Sequence, residues 1–148
     1  MNLADIADGL AARFAPGVVT PPTGMKNITS STPRPPNNIP NTPFVIAWAS
    51  DGDVTLGAGS VTGTARFNVV FYFAKSDGDI PRQYDALLEW VGILIDQLYG
   101  AQKLGVAGVR KGYVVRWEIG VITYAGVQYE AVSMAVNVDY EEAVTITP

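Results

Sequence analysis

Apolar residues open the chain at helical spacing. Leu3, Ile6, Ala7, Leu10, Ala11 and Phe14 fall on one stripe, the i, i+3, i+4, i+7 signature of an amphipathic helix. Asp5 and Asp8 lie towards its start, where they favour the helix dipole, and Pro16-Gly17 ends it. So short a helix is marginal alone, so it is expected to pack on something. Further on, the period drops to two. Phe44–Ala49 is a continuous apolar run, the mark of a strand buried on both faces. Ser50-Asp51-Gly52-Asp53 then predicts a turn, with glycine supplying a left-handed φ. Val54–Leu56 and Thr64–Ala74 predict further strands, separated by Gly57-Ala58-Gly59-Ser60. In the second of these, Ala65, Phe67, Val69, Phe71 and Phe73 take one side, and Arg66, Asn68, Val70 and Tyr72 take the other.

The strongest helical pattern follows. Tyr84, Leu87, Leu88, Val91, Leu94, Ile95 and Leu98 make an apolar stripe. Asp77 or Asp79 is the expected cap before Ile80-Pro81, and Gly100 is the expected stop. A helix of about 20 residues would be about 30 Å long, enough to cover one face of a sheet. Ala101–Gly112, with three glycines and the pair Arg110-Lys111, reads as a loop. Tyr113–Tyr124 reads as a strand with Val115, Trp117, Ile119 and Val121 on one face. Ala125-Gly126 signals a two-residue hairpin, and the return strand starts at Val127. In that strand the apolar set moves from odd positions (Val127, Tyr129, Ala131) to even ones (Val132, Met134, Val136, Val138, Tyr140). A bulge, or a sharp bend, near Ala131–Ser133 would absorb such a slip.

Between helix and strands, Pro16–Pro43 holds eight of the ten prolines. Proline lacks the ladder donor, and a connection this long is either functional or a floppy linker. The favoured reading is an extended arm that orders against a neighbouring subunit. These elements predict an α+β fold in one domain over residues 1–148. Its mostly antiparallel sheet is covered by one long helix, with a short N-terminal helix and the Pro-rich arm in addition.

Composition narrows the chemistry. The chain has no histidine and no cysteine, which excludes Ser-His-Asp and Cys-His catalysis, ordinary zinc sites and disulfides. What remains is carboxylate, Lys, Tyr, Ser or Thr chemistry. Ten basic against fourteen acidic residues give a net charge of −4, unfavourable for binding a phosphate backbone. No apolar run reaches the length of a membrane span and the first residues lack a secretory pattern, so a soluble protein made in a cytoplasm is expected. Charged residues are only 16% of the chain against a usual value of about 25%, which suggests surface covered by partners.

Two Asp-Gly-Asp triplets, at Asp51–Asp53 and Asp77–Asp79, could bind calcium, but a turn and a helix cap explain them. Gly57–Gly63 lacks the Lys-Ser/Thr of a phosphate loop. Glu118 and Glu130 read as exposed positions on polar strand faces rather than a glycosidase pair. Trp48, Trp90 and Trp117 read as core or subunit-interface anchors. No enzyme, metal or cofactor is expected from these patterns.

The short helix at Leu3–Phe14, the grouped strands of Phe44–Ala74, the long helix Ile80–Gly100 and the hairpin Tyr113–Tyr140 together resemble the tail terminator (tail completion) proteins of long-tailed bacteriophages. The resemblance rests on element order, size and an acidic, cysteine-free composition over nearly the whole chain. It implies a virion protein at the tail–neck junction, assembled in the host cytoplasm, whose subunits close into a homohexameric ring. Such a ring caps the tail tube, meets the tube protein and the neck connector proteins, and lets DNA pass without specific binding. Pro16–Pro43 is longer than the family's simplest members lead one to expect. Arg34 in the arm and Arg110 and Lys111 in the loop are the expected subunit-interface residues. The alternatives are another neck or tail component, such as a connector or tube subunit, and, from another class, a small calcium-binding or carboxylate-dependent module.

Overall fold

A computed structural model describes residues 2–78 and 81–143. Helix α1 spans Leu3–Ala12. Strands β1 (Ser30–Thr32), β2 (Phe44–Gly57) and β3 (Ser60–Lys75) follow. Helix α2 (Tyr84–Tyr99) then precedes β4 (Val109–Tyr124) and β5 (Val127–Ala143). The strands form one sheet in the order β1-β2-β3-β5-β4. Every pairing is antiparallel except the short parallel one of β1 on Phe44–Ile46 of β2.

The expected α+β fold under one long helix is therefore overturned. Among the described residues the chain is mostly sheet, with 47% in strands, a five-stranded mixed sheet and two short helices, and no long helix there covers the sheet. Two physical causes account for the difference. The strands run on through polar, Gly-containing stretches that carry turn chemistry, because solvent-exposed ends of a long sheet tolerate such residues. The second helix begins only at Tyr84 and has 16 residues. Its cover is local: α2 packs mainly on β4, and α1 packs on β1 and β2.

Both faces of the sheet are buried over its middle, by different things. On the helix face, Val45, Ala47, Phe67, Val69, Phe71, Val132, Met134, Val136 and Val138 meet Ile6, Leu10 and Phe14, and Leu87, Trp90, Leu94 and Leu98. On the opposite face, Phe44, Ile46, Val70, Tyr72, Tyr129 and Ala131 pack with Ile39 of the Pro-rich segment. The arm expected to order against a neighbour is bound to its own chain. Its Val19 and Ile28 enter the helix-face core. The Ser31 hydroxyl donates to the Ala11 carbonyl at 2.7 Å, Thr29 donates to the Pro43 carbonyl at 2.8 Å, and the Tyr124 hydroxyl donates to the Pro36 carbonyl. We call this opposite side the arm face.

This two-sided burial explains the change of phase in β5. Tyr129 and Ala131 face the arm, whereas Val132 to Tyr140 face the helices. The apolar parity changes because the covered face changes, with no slip of the strand. Ala131, Val132 and Ser133 pair without interruption on both sides, so the bulge expected there is absent. The irregularities lie on the partner strands, between Tyr72 and Ala74 of β3 and, on β4, between Val109 and Lys111 and between Val114 and Arg116.

The expected turn at Ser50–Asp53 is also absent, and β2 runs through it with a register shift between Ala49 and Asp51. Glycine is required at position 52 by close approach, since a Cβ there would lie 2.7 Å from the Thr64 carbonyl oxygen. The β2–β3 turn comes at Ala58-Gly59. The β4–β5 hairpin turns as expected at Ala125-Gly126, both with positive φ (50° and 81°), as a type I′ turn requires.

Under the arm, the Tyr72 ring meets Tyr124 and Tyr129 edge-on, with centroids 5.6 and 5.4 Å away. Burial first, then the neighbouring phenols, pushes the Tyr72 hydroxyl up from 10.0 to about 12. A raised phenol means that the folded chain holds its proton where the unfolded chain has released it. The stability linked to Tyr72 is thus complete below pH 10 and is lost as pH rises towards about 12. Denaturant melts across that window are expected to show a falling midpoint that flattens in Tyr72→Phe. Equal slopes for the two proteins would show that Tyr72 does not titrate as its burial dictates.

Candidate assembly surface

The sheet ends in two long edges. β1 covers β2 only at Phe44–Ile46, so β2 from Ser50 to Gly57 has no outer strand among the described residues. At the other edge, β4 pairs only with β5 among the described residues. The Gly112 amide donates to the Gln102 carbonyl in the preceding loop, and beyond it the edge of β4 is open. Unpaired strand edges are templates for a further strand.

Large exposed apolar residues gather beside these edges. At the β2 edge they are Leu56, 76% exposed, Val54, and Leu3 of α1. The register sets Val54 opposite Gly63 and Leu56 opposite Val61, on the same face as Ala65 and Phe67, so both lie on the helix face. At the β4 edge they are Val115, 57% exposed at the bulge, and Trp117, 43% exposed. Trp117 pairs opposite Met134, which places it on the helix face too. On α2, Tyr84, Leu88 and Tyr99 are exposed at spacings of four and eleven, which puts them on one flank of that helix.

The charges beside the two edges differ in sign. Asp51 and Asp53 project from β2 on the arm face and both engage Arg66 of β3, Asp51 at 3.2 Å. The hydrogen bond to Asp53, then the charges of Asp53 and Asp51, raise the Arg66 guanidinium further above its usual value. Two carboxylates sharing one cation leave this edge acidic. On β4 the cations are Arg110, Lys111 and Arg116. Arg110 pairs with Glu141 of β5, Lys111 sits 5.0 Å above the Tyr113 ring, and Arg116 has no ion pair among the described residues.

The three expected interface residues are not brought together. Arg34 lies at the β2 side, where it pairs with Asp8 of α1 at 3.7 Å. It lines a hollow with Leu3, Ala7, Pro35 and Trp48. Arg110 and Lys111 lie on β4, not in a loop, because the strand begins at Val109. They line a shallow polar groove of about 390 Å³ with Asp53, Thr55, Thr62, Thr64 and Asp139. There Thr64 donates to Asp139 at 2.7 Å. Residue patterns alone missed Asp51, Asp53, Val54, Leu56 and Arg116 as surface candidates. The signal was present in the alternation of Asp51, Asp53 and Thr55 against Gly52, Val54 and Leu56, which is that of a strand with two different faces.

Of the carboxylates weighed for chemistry, Glu118 is exposed but Glu130 is buried, contrary to expectation. It accepts hydrogen bonds from the backbone amides of Arg82 and, at 2.9 Å, Gln83, and so anchors from β5 the two residues that lead into α2. Asp77 is exposed and makes no cap, because the helix starts seven residues beyond it; Asp79 and Ile80 lie outside the described residues. No three acidic groups gather among the described residues. No described helix is long and apolar enough to cross a membrane.

No protein-family model matches the chain, and no curated protein matches it as a relative. The functional reading therefore rests on the sheet edges and on the sequence resemblance.

Proposed function

We propose that this chain is a structural subunit that closes with copies of itself into a ring. In this reading the ring caps the tail tube of a long-tailed bacteriophage and joins it to the neck connector. The observation that carries it is the pair of open strand edges, each flanked by exposed large apolar side chains. A lone small protein seldom leaves such edges bare, since they invite pairing and aggregation. Closed rings are built from two different patches meeting head to tail, and the two edges are different patches. The hexameric order, the tail tube and neck partners and the place in the virion come from the resemblance. The net charge of −4 suits a ring through which DNA passes without being held. The reading assigns no catalytic step and no cofactor.

A calcium-binding role is less well supported. Asp51 and Asp53 already hold a guanidinium, and a calcium ion needs about six to eight oxygens.

Light scattering on the purified chain, followed by negative-stain imaging, tests the proposal. Isolated rings with the mass of six subunits are expected. Long tubes would mark a tube subunit instead, and a monomer at every concentration, with or without isolated tail tubes, would remove the reading.

A further inference from the structure

The open stretch of β2 complements its own reverse. We infer that residues 51–57 pair antiparallel with the same residues of a second copy, about a two-fold axis at Val54, so that the two sheets become one. The inference goes beyond the ring reading and does not need it. The contact is two-fold where the ring's contacts run head to tail, so between rings it joins two of them.

The register follows from the faces. Beyond the shift at Ala49 and Asp51, the strand pairs regularly with β3 as far as Gly57. Gly52, Val54 and Leu56 lie on the helix face, and Asp51, Asp53, Thr55 and Gly57 on the arm face. Residues directly opposite in a sheet point to the same side, so only registers that keep this parity are open to the pair. Centring on Asp53 sets its carboxylate against its twin, and like charges directly across strands are unfavourable. Centring on Thr55 leaves Asp51 and Gly52 against the Ala58-Gly59 turn and outside the ladder. Centring on Val54 pairs every residue from Asp51 to Gly57, and backbone groups that face water in both copies are satisfied.

Each side chain then meets a partner that suits it. On the helix face, Leu56 comes beside Gly52 of the second copy, which has no side chain, with Ala65 next in the ladder. Over that glycine lies a hollow of about 330 Å³, lined by Leu3, Ala49, Val54 and Phe67 among others. Leu56 of each copy enters the hollow of the other. Leu3, Val54 and Leu56, all more than half exposed, leave water together. On the arm face, Asp53 comes beside Thr55, whose hydroxyl donates to the carboxylate, and Asp51 comes beside Gly57. Donor meets acceptor twice, and no carboxylate stands directly opposite another. Within each copy Arg66 already offsets one of the two charges on Asp51 and Asp53. Past Gly57, the turn of each copy runs towards the hollow that Arg34, Pro35, Trp48 and Ala49 line in the other, which brings Arg34 to the contact. Large against small and donor against acceptor, each related by reversal of one stretch, is the self-complementarity of an isologous contact.

The absence of cysteine makes single variants informative. Val54→Cys sets two thiols directly opposite, with Cα atoms about 4.5–5.5 Å apart, within the span of a disulfide. Leu56→Cys sets its two thiols about 14 Å out of step along the ladder. Mild oxidation of the dilute full-length chain is expected to link most of the Val54→Cys protein into dimers and to leave Leu56→Cys unlinked. No linked dimer at Val54, or equal linking at Leu56, would overturn the pairing. Wild-type rings beside an unlinked Val54→Cys would overturn the pairing alone, and linked dimers that form no ring would support it without the ring reading.

A second measurement reads the arm face. Thr55→Asp puts a carboxylate opposite Asp53 on both sides of the axis, and Thr55→Lys puts an ammonium there. By sedimentation, the dissociation constant of the pair is expected to rise about tenfold in the first and to fall about tenfold in the second, with unchanged circular dichroism spectra. Equal constants for the two variants would overturn the register.

Discussion

Trp90→Ala is expected to lower the unfolding free energy by about 3–5 kcal/mol, the usual range for emptying a buried tryptophan site. A domain of ordinary stability has about 5–15 kcal/mol in all, so the variant should be close to its folding limit. Trp90 is 0% exposed and its ring lies against Phe71 with centroids 4.5 Å apart. That contact joins α2 to the central strand β3, between Leu87 and Leu94 of the same stripe. Alanine would leave a cavity that rigid strands on one side cannot close. The indole Nε1–H finds no hydrogen-bond partner among the described residues. Trp90→Phe therefore removes a desolvated donor together with part of the volume, and is expected to cost well under the alanine value. Urea melts followed by far-ultraviolet circular dichroism read both effects. A loss below about 1 kcal/mol for the alanine variant would mean that the site collapses freely and is not the keystone of the helix face.

How far the fold could be read from the residues depended on what covers each face. Leu3–Phe14 and Tyr84–Leu98 were legible because one side of each helix is buried and the other is wet, so period and burial agree. Phe44–Ala47 was legible as an unbroken apolar run because both its faces are buried, and Ala65–Phe71 because Ala65, Phe67, Val69 and Phe71 all enter the helix-face core. β5 was misread at Ala131–Ser133 because periodicity reports which positions are apolar and not which face they occupy. The arm crosses one face and the helices the other, so the change from odd to even positions mimics a slip. The long reach of β2 and β4 was hidden in Asp51-Gly52-Asp53 and Arg110-Lys111-Gly112. Their composition is that of turns, yet their backbone is held by ladder bonds to β3 and β5. No local pattern could show that Pro16–Pro43 folds back on its own sheet, since Ile39, Tyr72 and Tyr124 are far apart in the chain. For the surface, Arg110 and Lys111 were legible as an exposed cationic pair. Their relation to Asp51 and Asp53 exists only once the strand order is known.

Glu130→Ala is expected to cost about 1.5–3 kcal/mol, the range for hydrogen bonds to a charged group, and to loosen the start of α2 before the rest of the chain. Gln83, the residue just before that helix, makes no side-chain cap. The amides of the two residues leading into the helix, Arg82 and Gln83, donate instead to a carboxylate delivered from β5, only 4% exposed, with Val121 of β4 beside it in the ladder. A negative charge at this end also meets the positive end of the helix dipole, worth about 0.3–1 kcal/mol. Glu130→Gln keeps an acceptor oxygen and loses the charge, so it should cost about as much as the dipole contribution alone. Hydrogen exchange at the Arg82 and Gln83 amides should quicken strongly in the alanine variant and little in the glutamine one, while amides of β3 stay protected. Equal losses in the two variants would assign the effect to charge rather than to the capping bonds. Because α2 packs mainly on β4, this carboxylate fixes where the helix lies along the strand that carries Trp117. A weakened anchor should therefore let α2 shift along that strand.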